Sequence, residues 1–375
     1  MMRMGRTLAS VCLAACVAVV GAGLAFGDIK GFNAAVQAGD YRKAAAEAKT
    51  AWPAWDKSDP DTAIVAREFG FASYVAGDFA AAREYGIFLR DNGNTLPTPD
   101  SQPVSSAVLL AAAEFRLGAN DTTRAALLNA LKAREGQTGI DNLSVLAAEA
   151  LYKSDWSKSD WPKASETGDL AWRLLDRAGI QLALRALDAR AAGAAAGFLG
   201  GPDKDDYDRI VDTHDAVIAA IDAADPARRI AFAPLKYQLE AWAISTALYF
   251  KAADQIGSNI PIRVKERKLK VPAQPIFAEE STEKICKGDP QWPDMQYPQA
   301  AAFRGMIGTV VLRIEIDAQG RPVSSETLAA VPARHFAKTV EEAVPKMTLR
   351  RAKDDPADCS LAQKSMITYF TFRML

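Results

Sequence analysis

From Asp28 to about Asp254 apolar residues return with a helical period, and within that stretch one phrase recurs. An apolar segment ends in a Gly-Asp or Gly-Ala-Asn turn, and a second, alanine-rich segment follows. Phe32–Tyr41 leads this way into Arg42–Trp52, Phe71–Phe79 into Ala80–Leu89, and a looser copy, Ala113–Asn120, into Asp121–Ala133. The turn glycines fall at 39, 77 and 118, spaced 38 and 41 residues apart. Glycine ends a helix because it tolerates positive φ, and the Asp or Asn after it caps the next helix. A single hairpin cannot bury its own apolar stripe, so such pairs must stack on their neighbours. The dominant alanine suits close-packed helices better than strands. The pattern predicts a mainly α chain built from helical hairpins. Leu143–Tyr152 with Leu170–Ala178 forms a fourth pair, and Gln181–Leu199, Tyr207–Ala223 and Ala231–Ala253 are long helices. Asn92–Pro103 holds Pro97, Pro99 and Pro103 and reads as a loop between hairpins.

The Ala-Gly-Asp-aromatic turn followed by an alanine-rich helix resembles the tetratricopeptide (TPR) repeat, whose units run about 34 residues. The longer period and the missing repeat-wide consensus are departures, so the repeats are degenerate. The resemblance implies an α-solenoid of five or six hairpins whose concave face binds segments of other proteins; a mere spacer is the alternative. The duplicated Lys153-Ser154-Asp155-Trp156 and Lys158-Ser159-Asp160-Trp161 reads as an aromatic staple of the inter-helix loop, or else as a contact site.

Charge argues against several partners. Lys plus Arg number 45 against 46 Asp plus Glu, so no net field draws the 375-residue chain to nucleic acid or an anionic membrane. The two histidines, His214 and His335, lie far apart, which leaves little for a histidine metal site or a Ser-His-Asp triad. The N-terminus carries Arg3 and Arg6, then an uncharged run over Thr7–Gly27, with Ala25 and Gly27 spaced as a signal peptidase reads them. Residues 1–27 are read as a secretory signal peptide. The alternatives are an uncleaved span of the bilayer and lipidation at Cys16 within Leu13-Ala14-Ala15-Cys16. Export leaves Cys286 and Cys359 as an even pair in an oxidising compartment, where a disulfide is expected; two unpaired thiols are the alternative.

Between Gly257 and Glu280 the composition shifts. Pro261, Pro272 and Pro275 bracket the strongly basic Ile262–Val271, either a short strand or a solvated linker. The expected division is therefore residues 28–256 for the helical repeats, 257–293 for a linker and 294–375 for a second domain. There the period changes. Tyr297-Pro298 opens a short helix closed by Gly305 or Gly308. In Thr309–Asp317, Val310, Leu312, Ile314 and Ile316 alternate with Val311, Arg313 and Glu315, a half-buried strand. Asp317–Gly320 turns the chain, Val323–Leu328 returns, and Ala333–Val344 is a helix with Phe336, Val340, Ala343 and Val344 on its apolar face. Met366–Leu375 is the last strand. Met366, Thr368, Phe370, Phe372 and Met374 share one face, and Ile367, Tyr369, Thr371, Arg373 and Leu375 the other.

The ordered set Tyr297-Pro298, Ala301, Gly308, Val310, Ile316-Asp317-Ala318-Gln319-Gly320-Arg321, Pro332, Phe336, Val340 and Ala343 resembles the C-terminal domain of the TonB energy-transducer family. That resemblance implies a small α+β domain with a three-stranded antiparallel sheet and two helices. It also implies capture of an extended peptide at the periplasmic mouth of outer-membrane transporters, with force supplied by a proton-driven motor. Family transducers keep a membrane anchor with a histidine and a proline-rich rod; Thr7–Gly27 has no histidine, and helical repeats stand in place of the rod. The aromatic-x-proline step expected after the second helix is replaced by Leu349-Arg350-Arg351, and Ala352–Lys364 reads as a longer loop. Peptide capture carries over better than energy transduction.

Strand addition has its own physical basis. A terminal strand exposes unpaired N–H and C=O groups that a partner segment can pair with. Ile367, Tyr369, Thr371 and Arg373 are the candidate partner-facing residues, core packing or dimerisation being the alternative. Expected partners are a receptor peptide at this edge and other envelope proteins at the repeats, with no nucleic acid, metal or cofactor. Two readings stand: an exported, periplasmic adaptor at outer-membrane transporters, or a periplasmic scaffold without motor coupling. No G-x-S-x-G, H-E-x-x-H, phosphate loop or dinucleotide fingerprint occurs, so the chain is read as a non-enzyme. The acidic run Asp203–Asp208 fits the start of a helix.

Overall fold

A computed structural model of the chain describes residues 29–137, 140–177, 184–255, 264–277, 284–302, 306–332 and 335–373. The expected signal peptide, the helix-closing Gly305 and the end of the last strand lie outside the described residues. By its contacts the chain forms two compact units, Met1–Leu151 and Tyr152–Leu375.

The first unit holds antiparallel helical hairpins. Its helices are α1 (Lys30–Gln37), α2 (Tyr41–Ala51), α3 (Thr62–Ala76), α4 (Phe79–Asn92), α5 (Pro103–Leu117) and α6 (Asp121–Glu135), followed by the first part of α7 (Asn142–Ser157). The turn chemistry follows the sequence phrase at two of three positions. Gly39 (φ 71°) and Gly77 (φ 86°) take the left-handed conformation that only glycine adopts without strain. The Asp40 and Asp78 carboxylates then accept from the amides of Lys43 (3.0 Å) and Ala81 (3.1 Å). Gly118 does not follow: its φ of −159° is extended, and the next helix is started by a reciprocal cap between Asn120 and Thr123. Phe69 is wholly buried between Phe32 and Tyr85, with ring centroids 4.7 and 5.9 Å away. Truncating such a ring typically costs about 3–5 kcal/mol.

The second unit continues with the rest of α7, then α8 (Trp161–Arg177), α9 (Leu184–Gly200), α10 (Lys204–Ala223) and α11 (Pro226–Gln255). Trp156 and Trp161 meet edge to face at 5.3 Å, so the duplicated tryptophans staple the α7–α8 turn. Asp203, from the acidic run, caps α10. The chain then forms β1 (Asp289–Gln291), α12 (Gln299–Ala302), β2 (Gly308–Ile316), β3 (Pro322–Val331), α13 (His335–Ala343), β4 (Thr348–Arg350) and β5 (Gln363–Phe372). The main sheet has the antiparallel order β3-β2-β5, and β1 pairs with β4 in a separate ribbon. A three-stranded sheet with two helices is thus present, as the family resemblance implied.

Gly320 adopts φ 79° in the β2–β3 turn, and its carbonyl accepts the Leu349 amide at 2.7 Å. A methyl at Gly308 would run into the Phe336 ring, so that glycine lets the helix sit close on the sheet.

Two sequence expectations need correction here. β2 is not half-buried. On one face Val310, Leu312 and Ile314 join Phe336, Val340 and Leu349 in a core beneath α13. On the other, Thr309 and Val311 are as fully buried, because α11 lies across β3 and that end of β2, while Arg313 stays half-exposed and Glu315 exposed. Ser245 of α11 and Thr309 of β2 share a hydroxyl–hydroxyl bond of 2.8 Å at this contact.

Residues 264–277 are likewise neither a strand nor a free linker. Arg267 reaches Asp212 (2.7 Å) and Asp215 (3.3 Å) on α10, its amide donates to the Tyr207 hydroxyl (2.9 Å), and Leu269, Ile276 and Phe277 pack on the helical core. Helices α8–α11 and the sheet belong to one compact unit, Tyr152–Leu375, and the expected linker at 257–293 falls within it.

Candidate functional site

The sheet ends on two edges of different character. β3 begins at Pro322, its register with β2 slips at Val311/Leu312 and at Glu315/Ile316, and it carries Ser324, Ser325 and the charged Glu326. These features discourage pairing with another chain. β5 from Ser365 to Phe372 carries no charge and no proline. Its register with β2 runs without a break from Gly308–Phe372 to Ile314–Met366. Among the described residues no strand lies along the outer side of β5. The last strand is therefore extended and stands at an edge.

The candidate partner-facing residues sit as follows. Thr371 and Arg373 are exposed. Ile367 is half-buried and packs on the helical core. Tyr369 keeps 40% of its surface, yet its hydroxyl donates to Glu240 of α11 at 2.7 Å. Part of the face drawn from sequence as partner-facing is thus engaged by the chain's own helix.

Glu240 is the centre of a buried polar group that the sequence did not single out. It also accepts from Lys236 Nζ (2.9 Å) and lies 3.4 Å from His214 Nε2, and all three residues are almost fully buried. Burial alone would raise the Glu240 carboxyl. The His214 contact, the Lys236 charge and hydrogen bond, and the Tyr369 hydrogen bond outweigh it and hold the group below the usual carboxylate range. Tyr369 is pushed far up, first by burial and then by the Glu240 charge, so it remains a donor. Neighbouring Tyr237, raised to about 12 mainly by burial, carries Lys236 Nζ over its ring at 3.9 Å. The readable signal was Lys236 and Glu240 at i, i+4 spacing within the otherwise uncharged stretch Ile230–Phe250.

His214 is wholly buried beside Glu240. Cys286, Asp355 and Cys359 cluster closely enough to suggest a metal. The two sulfurs, however, are joined in a disulfide, with Cα atoms 5.0 Å apart. Asp355 accepts from the amides of Lys287, Gly288 and Ala352. The expected Cys286–Cys359 bridge is present, and it ties the segment ahead of β1 to the segment ahead of β5.

The resemblance motif is used for packing. Tyr297 packs edge-on against Phe336 (5.9 Å) and Phe372 (6.0 Å). Pro298 precedes α12, and the Asp317 carboxylate accepts the amides of Gln319 (2.9 Å) and Arg321 (2.8 Å) to close the Gly320 turn.

Comparison with known proteins agrees with this geometry. Residues 293–369 match the family described as Gram-negative bacterial TonB protein C-terminal. No curated protein is detectably similar in sequence. Among solved structures, the TPR2AB-domain:pHSP90 complex of yeast Sti1 aligns at 18% identity over 60% of this chain and 93% of that one, at a TM-score of 0.20, which says nothing of the fold. Residues 293–369, which hold the three-stranded sheet and the Gly320 turn, are thus similar to the TonB C-terminal family, and they follow a run of helical hairpins.

Proposed function

We propose that the chain is an exported, periplasmic protein that captures an extended segment of an envelope partner by strand addition along β5. The observation that carries this reading is the contrast between the two sheet edges: β3 is blunted, while β5 offers Ser365–Phe372 in regular extension without charge or proline. The family match favours a partner at outer-membrane transporters. The Cys286–Cys359 disulfide fits an oxidising compartment. The helical hairpins then hold a second envelope protein.

A reading without a motor, as a fixed periplasmic scaffold, is favoured by one feature. α11 packs on the Thr309–Val311 end of the second face of the sheet, so the domain is built into its helices and not hung from a flexible rod.

Strand addition is tested by titrating the isotope-labelled chain with peptides from the periplasm-facing plugs of outer-membrane transporters. Exchange protection of amides within 363–372 is expected; binding that leaves β5 unprotected would overturn the reading. Fractionation with N-terminal sequencing separates the two roles: an anchored chain points to transduction, a chain released near Asp28 to the scaffold.

A further inference from the structure

The two faces of β5 are unfinished in different ways. On the α13 face Val310, Leu312 and Ile314 of β2 are wholly buried. The β5 residues opposite and beside them, Met366 and Phe370, are only half so. The reason is geometric: α13 lies over β2 and β3. Of β5 on this face, Phe372 meets Phe336 of α13 at 5.0 Å, and Phe370 is met instead by the segment ahead of α12. There Trp292 packs edge-on against Phe370 at 4.4 Å, and Met295 joins the same core. Trp292 and Met295 remain half-exposed. Met366, Phe370, Trp292 and Met295 are thus partly buried apolar side chains on one core, two of them carried by the edge strand. On the α11 face Ile367 packs on the helical core and the Tyr369 hydroxyl is taken by Glu240, and toward the end of the strand Thr371 and Arg373 are exposed and polar.

We propose that the segment added to β5 is amphipathic, with apolar side chains at every second position on the side of Trp292 and Phe370 and polar ones on the side of Tyr369, Thr371 and Arg373, and that Trp292 is the specificity-determining residue. This rests on the strand-addition reading and narrows it to one chemical class of peptide. Backbone pairing alone is indifferent to side chains, whereas alternate side chains fall on opposite faces of a sheet. An incoming apolar row would complete the burial of Met366 and Phe370, and a polar row there would be desolvated without partners. Half-exposed aromatic anchors of this kind dominate binding energy at interfaces.

The test uses the full chain and two capped ten-residue peptides with lysine ends, one alternating Val and Thr, the other of Thr and Ser only. Both are scored by affinity and by exchange protection of β5 amides. The alternating peptide should bind on the order of tenfold more tightly. Trp292→Ala should erase that preference while leaving the weaker peptide unchanged, and Trp292→Phe should retain it. Equal affinity of the wild-type chain for both peptides, with β5 protected, would overturn the inference and leave strand addition standing. No protection of β5 by either peptide would overturn both. The wild-type comparison needs no variant to fold.

Discussion

The hydroxyl of Tyr369 on the edge strand donates to the carboxylate of Glu240 on α11 at 2.7 Å. Through this bond the edge strand is held by α11. Tyr369→Phe removes the donor and should cost about 1–2 kcal/mol, the lower part of the range for bonds to charged groups because water reaches the ring. Glu240→Leu leaves Lys236 buried without its counter-charge and should cost more, about 3–5 kcal/mol. Urea unfolding of the two single variants and the double variant checks both numbers and yields the coupling.

Glu240 also sets an acid limit. Its folded carboxyl titrates below its unfolded value of about 4.3, so between those two values the unfolded chain binds a proton that the folded chain refuses. The stabilisation is complete above the unfolded value and is lost as pH falls through the depressed folded one. Melting curves taken from pH 6 to pH 3 should show this loss. Its slope should be shallower in Glu240→Gln but not flat, since Asp141 is depressed in the same direction despite its burial.

Glu68 on α3 behaves oppositely. Burial raises its carboxyl, Arg67 offsets part of the effect, and Asp141 adds to it. The folded chain keeps this proton after the unfolded chain has released it, so stability falls as pH climbs from the ordinary carboxylate range toward the raised folded value. Glu68→Gln should therefore raise the melting temperature at pH 7, and the gain should vanish near pH 4. A gain that persists at pH 4 would point to packing and not to charge.

The Cys286–Cys359 bridge spans 73 residues of sequence. In the chain-entropy account a loop of that size contributes about 4 kcal/mol. The Cys286→Ser, Cys359→Ser double variant should lose about this much in urea unfolding. Reductant should reproduce the loss in the wild-type chain and leave the variant unchanged.

At Gly320 two demands coincide, a left-handed backbone and the close approach of the Leu349 carbonyl oxygen to the place a Cβ would occupy. Gly320→Ala should cost about 2 kcal/mol or more. Gly39→Ala, with the same sign of φ but open space around it, should cost about 1 kcal/mol. Thermal melts of the two variants separate conformational strain from collision.

Much of this architecture was legible in the residues themselves. The Gly-Asp phrase marked two helix turns, alternation in Thr309–Asp317 and Met366–Leu375 marked the strands, and Asp317–Gly320 marked their turn. The contact between α11 and the sheet was not legible. Val311 and Ile367 share their face with Arg313, Glu315 and Tyr369, a mixture that reads as a wetted face, and nothing local ties that face to a helix some seventy residues upstream of β2. Thr348–Arg350 is too short a strand for periodicity to register. Gly118 misled because its neighbours copy a turn whose backbone it does not adopt.

The disulfide has a topological consequence for the edge. The covalent ring closed between Cys286 and Cys359 encloses β1, β2, β3 and β4, and β5 alone lies past the second cysteine. Stripping β5 from the sheet, by traction or by exchange with a rival strand, threads nothing and opens no ring. Peeling that runs back toward Gln363 arrests within a few residues at a cross-link that traction on hydrogen bonds cannot break.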